Sequence, residues 1–332
     1  MAAFELPSRP NATNDRGNSY HECTINMTFF RSFSARSCSA LRLLLLAAAT
    51  AATHLTAQTA VAPRMPIKPF ELRTELSMAG RSDVAEGSIN HGELRHHSFR
   101  LDGVHTVPLG QNSSYLIGGS WRRFEFSDSS APIPDTLDAV TLKLGYSRTL
   151  TPQWTLLTEI DPGLYSDFED ISSADFNAPV GLRLAYAVSR ELQWLFGLNV
   201  DLRSSNPVIG GFGVRWQFAR DWTLSFIVPE PRVEYALLPN LRLTVGASLR
   251  GGTFRVAENF GSRRGRAQLD NQDIDFREIT AGVGARYELR PGLNVTGTVG
   301  WMIDRRFEFD DRDLLLNGDG APILRFSLIG TF

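Results

Sequence analysis

Apolar and polar residues alternate with a period of two along most of the chain, from Phe70 almost to its last residue. Successive side chains of a β-strand point to opposite faces, so this period predicts strands with one apolar and one polar face. Clear segments and four weaker ones together predict about 14 strands, with 12 as the alternative, and no helical segment. The clear segments are 70–78, 140–146, 154–160, 180–186, 212–218, 222–228, 241–249, 279–289, 293–301 and 324–328; the weaker ones are 116–126, 192–202, 233–237 and one within 89–115.

The polar faces of these strands carry charges. An unpaired buried charge is very unfavourable, so these side chains need water or one another. A transmembrane antiparallel up-and-down β-barrel provides a hydrated lumen for them, while its apolar faces meet lipid and its closure removes strand edges. A soluble sandwich could also direct such charges at solvent. The expected lumenal and selectivity residues are Arg183, Arg215, Arg242, Arg250, Arg286, Arg325, Glu159, Asp201, Glu234 and Glu288.

The connections between strands alternate in length, which favours the membrane barrel over the sandwich. Short turns are predicted at 149–152, 188–191, 219–221, 238–240 and 289–292, and long polar loops at 161–177, 251–273 and 309–320. Short turns at one end and long loops at the other are typical of outer-membrane barrels. Aromatic residues beside the short turns predict a girdle at one bilayer interface, where their amphipathic rings are favoured. They are Tyr146, Trp154, Tyr186, Trp194, Phe218, Trp222 and Tyr287.

Residues 27–62 have the form of a secretory signal peptide. Three arginines precede an apolar stretch that begins at Leu43, and small residues up to Ala62 offer cleavage points. The stretch is interrupted at His54, short of the roughly 20 apolar residues that a membrane-spanning helix needs. Residues 1–26 are polar and are interpreted as an extension upstream of the true start, Met27. The mature barrel is therefore expected to comprise residues 63–332, with no room for an N-terminal plug domain.

Cysteine content and net charge narrow the function further. The chain has two cysteines, Cys23 and Cys38, and both lie before residue 63. The expected mature chain is thus without a thiol nucleophile, a disulfide or a cysteine-ligated zinc ion. The formal net charge of -2 argues against nucleic acid as a partner. We expect no cofactor.

Two internal repeats are visible. Residues 140–161 and 180–201 match at a constant offset, and the pentapeptide Arg-Arg-Phe-Glu-Phe occurs at 122–126 and again at 305–309. Duplication of a hairpin is the favoured interpretation. The alternative is convergence, because every hairpin has to present an apolar face to lipid. Neither repeat has the uniform period of a propeller.

The C-terminal part of the chain carries a resemblance to a known group. The chain ends in Phe332, with Phe326 and Leu328 at alternate positions before it. This end resembles an uncharacterised family of bacterial outer-membrane β-barrel proteins. The resemblance covers residues 299–309 and 321–332, with shorter matches at 251–256 and 275–277. More loosely, the chain is similar to outer-membrane transporters of aromatic compounds or fatty acids. The resemblance implies that Phe332, Leu328 and Phe326 form the signal read by the barrel assembly machinery.

Four other groups of residues were weighed as sites. A metal site at His91, His96 and His97 is disfavoured against a solvated loop or rim, because adjacent histidines on a strand face opposite ways. The acidic runs 167–170 and 270–275 could bridge calcium, but surface solvation is the favoured interpretation. The glycines within 210–213 are interpreted as room for curvature or tight packing. The basic loop 261–266 is interpreted as solvated and balanced by nearby acids, with lipopolysaccharide contact or anion selection as alternatives.

Together these features predict a passive channel of the bacterial outer membrane for small solutes, with arginines and carboxylates lining the lumen. The first alternative is a closed barrel with a structural or surface-binding role, in which paired charges fill the lumen. The second is a lipid hydrolase in the barrel wall, which would have to recruit a histidine from residues 91–105. We therefore expect no enzyme activity and no metal. The expected partners are outer-membrane lipid and lipopolysaccharide, the assembly machinery and an unidentified solute.

Overall fold

The computed structural model describes residues 69–127 and 129–332, so the expected extension and signal peptide lie outside the described residues. The described residues contain β-strands and a few short 3-10 turns, and none of the helical segments is long and apolar enough to cross a membrane. The strands are β1 (Phe70–Glu86), β2 (Ile89–Leu109), β3 (Ser113–Ser127), β4 (Thr136–Thr149), β5 (Trp154–Ile160), β6 (Gly163–Ser166), β7 (Phe176–Asn177), β8 (Val180–Ala187), β9 (Leu192–Val200), β10 (Val208–Ala219), β11 (Trp222–Phe226), β12 (Arg232–Leu238), β13 (Leu241–Arg255), β14 (Asp273–Arg290), β15 (Leu293–Phe309), β16 (Leu314–Gly318) and β17 (Ala321–Thr331).

These segments form one closed antiparallel β-barrel of fourteen strands. Three barrel strands are each interrupted once, so that β5 continues as β6, β7 as β8 and β16 as β17. The first strand closes the barrel by pairing with β2 on one side and with β16 and β17 on the other. At this seam the backbone N–H groups of Phe70 and Phe332 each donate to the other residue's carbonyl. The predicted fold class and the higher of the two strand counts are confirmed.

The two ends of the barrel differ as predicted. Connections at 150–153, 188–191, 220–221, 239–240 and 291–292 are short, and both chain ends of the barrel lie at this same end, which we call the turn end. Outward aromatic rings pair there, Trp154 with Tyr186 at 4.6 Å between centroids and Trp222 with Tyr235 at 4.7 Å. The opposite end, which we call the loop end, carries the longer segments 129–135, 167–175, 201–207 and 256–272, together with one tight turn at 87–88.

Toward the loop end the barrel narrows, because strands from distant parts of the chain come together. β6 lies parallel to β13 at Ser166 and Arg255, and the backbone N–H of Asp167 donates to the carbonyl of Arg255. This contact bypasses β7 to β12 and leaves a smaller closed ring. We call this ring, which consists of β6, β16 and the loop-end parts of β1–β4 and β13–β15, the upper barrel. The short strands β8–β12, which stop below it, are called the low wall.

The upper barrel is filled by a hydrophobic core. Edge-to-face rings dominate it: Phe276 lies 4.9 Å from Phe124 and 5.2 Å from Phe126, and Phe126 lies 5.0 Å from Phe307 between centroids. Every strand of the ring contributes at least one buried apolar side chain, among them Val84, Leu94, Phe124, Leu137, Tyr165, Phe254, Phe276, Phe307 and Leu316. Segments 129–135 and 256–272 fold over this core with Ile133, Phe260 and Leu269. The barrel is therefore closed on this side by packed side chains of its own wall and loops.

Three predicted loops are partly strand, which corrects the sequence interpretation. The segment 161–177 contains β6 and β7, the segment 309–320 contains β16, and β13 continues as far as Arg255. Their strand residues belong mainly to the upper barrel, where apolar side chains point inward and the outer face is polar. The strands β6 and β7 have only four and two residues, and β16 begins with three consecutive leucines, so these segments lack the period of two on which the prediction rested.

Candidate functional site: the charged lumen below the upper barrel

Below the upper barrel, the inward faces of the strands are mainly polar, and the carboxylate of Glu234 contacts several arginines of β12 and its neighbours. Glu234 of β12 is 95% buried, and its oxygens lie 2.6 Å from Arg232, 3.7 Å from Arg242 and 3.8 Å from Arg286. The register places these residues on adjacent strands of one inward face, since β12 pairs with β13 and β13 with β14. Glu230 also lies 3.9 Å from Arg232, so three guanidinium groups face two acids and the cluster carries an excess of positive charge.

A second acid, Glu75 of β1, lies across the lumen. It forms an ion pair with Arg250 of β13 and lies 3.9 Å from Nε of Arg325 on β17. Arg325 also donates from Nη2 to the hydroxyl of Thr280 at 3.1 Å. Glu75 and Arg250 are 175 positions apart in sequence, so only barrel closure brings them together.

The low wall has a different inner surface, because glycines and exposed side chains occur there in place of a packed network. Arg183 of β8 forms an ion pair at 2.5 Å with Glu159 and is directly opposite Gly197 of β9, which pairs with Gly211 of β10. A Cβ placed on either glycine would meet nothing within 4 Å. Arg215 on β10 is exposed and makes no ion pair or hydrogen bond with the described residues. Open space therefore lies inside this wall.

The remaining two expected lumen residues lie near the barrel ends. Asp201 follows β9 at the loop end, where it accepts hydrogen bonds from Nδ2 of Asn177 and from the backbone N–H of Arg203. It therefore fixes the start of the segment 201–207. Glu288 lies near the turn end on the inward face of β14 and forms no ion pair within the described part of the chain.

The histidine interpretation needs correction for His96. His96 and His97 do face opposite ways on β2, but His96 is only 2% exposed and lies in the barrel interior, not in a loop or rim. Its Nδ1 lies 3.2 Å from Glu278, and its ring stacks 5.0 Å from Phe126. A histidine sealed under this aromatic core cannot reach a lipid in the barrel wall. Residues 69–127 and 129–332 contain no group of His, Cys, Asp or Glu arranged to hold a metal ion.

The acidic runs are solvated only in part, since Glu169 and Asp170 are exposed while Asp167, Asp273 and Asp275 have structural partners. Asp167 is buried and accepts a hydrogen bond from the backbone N–H of Ala257, and burial raises the pKa of its carboxyl despite that bond. Asp273 forms ion pairs with Arg203 and Arg255, and Asp275 accepts hydrogen bonds from Ser205. The sequence shows these acidic residues, but it does not show the partners on distant segments with which they form hydrogen bonds and ion pairs.

The basic loop is balanced by acids of neighbouring segments, in agreement with the favoured interpretation. Arg263 pairs with Glu169, Arg264 with Asp135 and Arg266 with Glu86. The hydrogen bond from Arg266 lowers the pKa of Glu86 below its usual range. These three ion pairs hold the segment 256–272 over the upper barrel.

Several lumen residues were missed. Glu75, Arg232, Glu278 and Arg305 are central to the two networks or to the layer under the aromatic core. Glu75 alternates with apolar residues in β1 as clearly as the predicted residues do in theirs, so the same rule could have found it. Arg305 could have been found from the repeated pentapeptide, since Arg122 and Arg305 both point inward and are followed by inward phenylalanines.

One comparison with known proteins decides the family. The profile described as "Domain of unknown function (DUF6268)" matches residues 111–315, which is more than half of the chain. The chain belongs to this family. The expected membership of an uncharacterised family is thereby confirmed. Among the curated proteins nothing matches the chain.

Solved structures with similar folds are outer-membrane barrels with very low sequence identity. The COG4313 outer membrane channel from Pseudomonas putida F1 has 8% identity and a TM-score of 0.46, covering 84% of this chain and 100% of that one. The toluene transporter TodX from Pseudomonas putida has 9% identity and a TM-score of 0.41, covering 80% and 90%. The translocator domain of the autotransporter NalP from Neisseria meningitidis has 10% identity and a TM-score of 0.36, covering 90% and 96%. Function is therefore inferred below from the geometry of this chain.

Proposed function

We propose that the protein is a passive channel of the bacterial outer membrane for small solutes, with a preference for anions. A closed barrel leaves no unpaired strand edge, and its outward face between the turn end and the upper barrel is a belt of exposed apolar side chains such as Leu76, Leu142, Val283 and Phe326. Such a belt suits hydrocarbon and not water. Phe332 lies beside the first strand at the seam, a position compatible with its proposed role as part of the assembly signal.

The open space inside the low wall is the observation that carries the proposal. The side chain of Arg183 is 62% exposed although it points into the barrel, and the paired glycines Gly197 and Gly211 have no neighbour in front of them. The hydrophobic core that fills the upper barrel does not extend over β8–β12, because none of its members lies on these strands. This arrangement supports a water-filled path along the low wall.

The exposure of the lumenal charges supports the anion preference. Arg183 and Arg242 expose 62% and 50% of their side chains, whereas their partners Glu159 and Glu234 expose 28% and 6%. A solute moving through the lumen meets guanidinium groups first and carboxylates behind them. Charged side chains along a pore set ion selectivity, so cations are expected to be disfavoured.

A closed barrel with a structural or surface-binding role is the second candidate, and the upper barrel favours it. Nine strands of the loop end enclose a packed core, and ion pairs fasten the segment 256–272 above them. In that case the space inside the low wall would be a dead end under the segment 201–207. The two candidates differ in a single property, which is conduction.

Single-channel recording separates the candidates. The full chain, expressed in a bacterium and purified from its outer membrane, is inserted into a planar bilayer under a salt gradient. We expect steady conductance steps with a reversal potential that shows anion preference. Insertion, established by protease protection, without any steps would contradict the channel and leave the closed barrel.

A further inference from the structure

We propose that the lumen contains a binding site for the oxyanion group, carboxylate or phosphate, of a small solute. The site is a cavity of about 120 Å³ between β1, β12–β15 and β17, below the upper barrel. The proposal deepens the channel function in that the site would lie beside the conducting path, but binding itself does not depend on conduction.

The charges lining the cavity are unbalanced. Four arginines line it, Arg73, Arg232, Arg286 and Arg325, against two glutamates, Glu75 and Glu230. Two further groups modify this balance from behind the lining: Glu234 pairs with Arg232 and Arg286 and offsets part of the excess, whereas Arg250 adds a positive charge beside Glu75. Protein walls of low dielectric strengthen the field of such charges, which attracts anions into the lumen.

Hydrogen-bond donors in the cavity have no acceptor. Ser248 is 95% buried, and its hydroxyl forms no hydrogen bond with the described residues. The buried Nε atoms of Arg286 and Arg325 form none there either, although Glu75 lies 3.9 Å from Nε of Arg325. Arg73 makes no hydrogen bond or ion pair with residues 69–127 and 129–332. Buried donors are normally satisfied, so a group of unsatisfied donors at one cavity indicates an acceptor that occupies it. The acceptor has to be negatively charged to suit the arginines.

The chemistry of the donors specifies the class of acceptor. Guanidinium groups present forked N–H donors that match the oxygen atoms of carboxylates and phosphates. The hydroxyls of Thr296 and Thr298 face the same space and offer further hydrogen-bond donors, which are uncharged. The cavity is several times larger than the roughly 10–15 Å³ that one water molecule needs, and it is too small for a large ligand to enter as a whole. It therefore suits one oxyanion group, with the rest of the solute in the lumen.

Titration calorimetry on the detergent-solubilised full chain tests the site directly. Sodium phosphate and sodium acetate are titrated separately at constant ionic strength in a chloride background. We expect saturable binding of at least one of them; phosphate alone would identify a phosphoryl group, and acetate alone a carboxylate. The absence of any binding beyond chloride would overturn the proposal.

Three variants complete the test, each checked for folding by its heat-modifiable migration in gels. Arg73→Gln removes a charge without leaving an acid unpaired, and should weaken binding about tenfold or more. Glu230→Gln removes a lining negative charge and should tighten binding several-fold. Arg190→Gln, the same change of charge in a short turn, should leave binding unchanged. Equal affinity of Arg73→Gln and the wild type would overturn the site. Binding by a barrel without conductance would contradict the channel and leave the site intact.

Discussion

At the scale of single residues, Phe276 holds the centre of the aromatic core. Its ring contacts those of Phe124, Phe126 and Phe307, and the residue is almost fully buried. The change Phe276→Ala removes these contacts and leaves a cavity, which lowers the free energy of unfolding by about 3–5 kcal/mol. Urea unfolding in lipid vesicles, followed by tryptophan fluorescence, measures it.

The control for this variant is Phe212→Ala on the low wall. Phe212 is 71% exposed and faces outward, so its removal leaves no internal cavity. We expect a clearly smaller loss of stability than for Phe276→Ala. Equal losses of unfolding free energy in the two variants would mean that a ring in the core of the upper barrel stabilises the fold no more than a lipid-facing ring does.

The ion pair between Glu86 and Arg266 predicts a response to acid at the loop end. The pKa of Glu86 is lowered in the folded protein, mainly by its hydrogen bond with Arg266. A lowered carboxyl pKa stabilises the fold above the ordinary value of about 4.5, and this contribution is lost as the pH falls through the lowered folded value. Hydrogen-exchange protection of the Leu269 amide, which donates to the carbonyl of Arg266, should therefore fall below about pH 4.5.

The variant Glu86→Gln separates this ion pair from other acid effects. It removes the titrating group, so the protection of Leu269 should be lower at neutral pH and should change little with acid. The same acid-dependent loss in this variant as in the wild type would assign the effect to another group, such as Asp270, whose pKa is also lowered.

At the scale of elements, the lipid-facing strands were predictable from the sequence, and the upper barrel was not. The low wall and the turn-end halves of β1, β14, β15 and β17 alternate apolar-out and polar-in, which is the pattern that a bilayer imposes. In the upper barrel the solvent lies outside and the apolar core inside, so the alternation inverts. Register shifts at 79–82 in β1 and at 279–280 between β14 and β15 mark this inversion.

The candidate site was predictable only in part, for a related reason. A period of two places Arg242, Arg286 and Arg325 on an inward face, but it does not say which strands become neighbours across the lumen. The acid partner Glu75 is 175 positions from Arg250 in sequence, and only the closed topology joins them. The buried His96 was assigned to a rim because its strand lacks regular alternation.

The segment 201–207 predicts how the mouth above the low wall is restricted. It leaves the low wall after β9 and reaches the first residues of β14, where Arg203 pairs with Asp273 and also donates to the carbonyl of Ala174. Because this segment spans the opening, the change Arg203→Ala should raise single-channel conductance or the frequency of brief current fluctuations.

The change Arg255→Ala is a matched control, since Arg255 also pairs with Asp273 but belongs to the upper barrel itself. Its conductance should equal that of the wild type. An increase of the same size in both variants would mean that Asp273, and not the position of the segment 201–207, controls the current.

At the scale of the whole molecule, one barrel combines two constructions. The upper barrel is closed and dry, with a core like that of a soluble protein, and it adjoins a wider charged lumen. Its strands come from both ends of the barrel sequence, and the low wall β8–β12 lies between them in sequence. The low wall therefore forms the side of the barrel along which a solute could pass the closed part. The proposed channel function therefore depends on conduction along this wall.

Substitutions at two adjacent glycines of β10 test conduction along the low wall directly. Gly211 faces the lumen with nothing within 4 Å of an added Cβ, and Gly210 faces lipid, its nearest neighbour being Leu198 at 3.6 Å. We predict that Gly211→Trp reduces single-channel conductance severely, while Gly210→Trp, the same substitution one residue away, conducts like the wild type. Undiminished conductance in Gly211→Trp, with the variant shown to be folded and inserted, would contradict a path along the low wall.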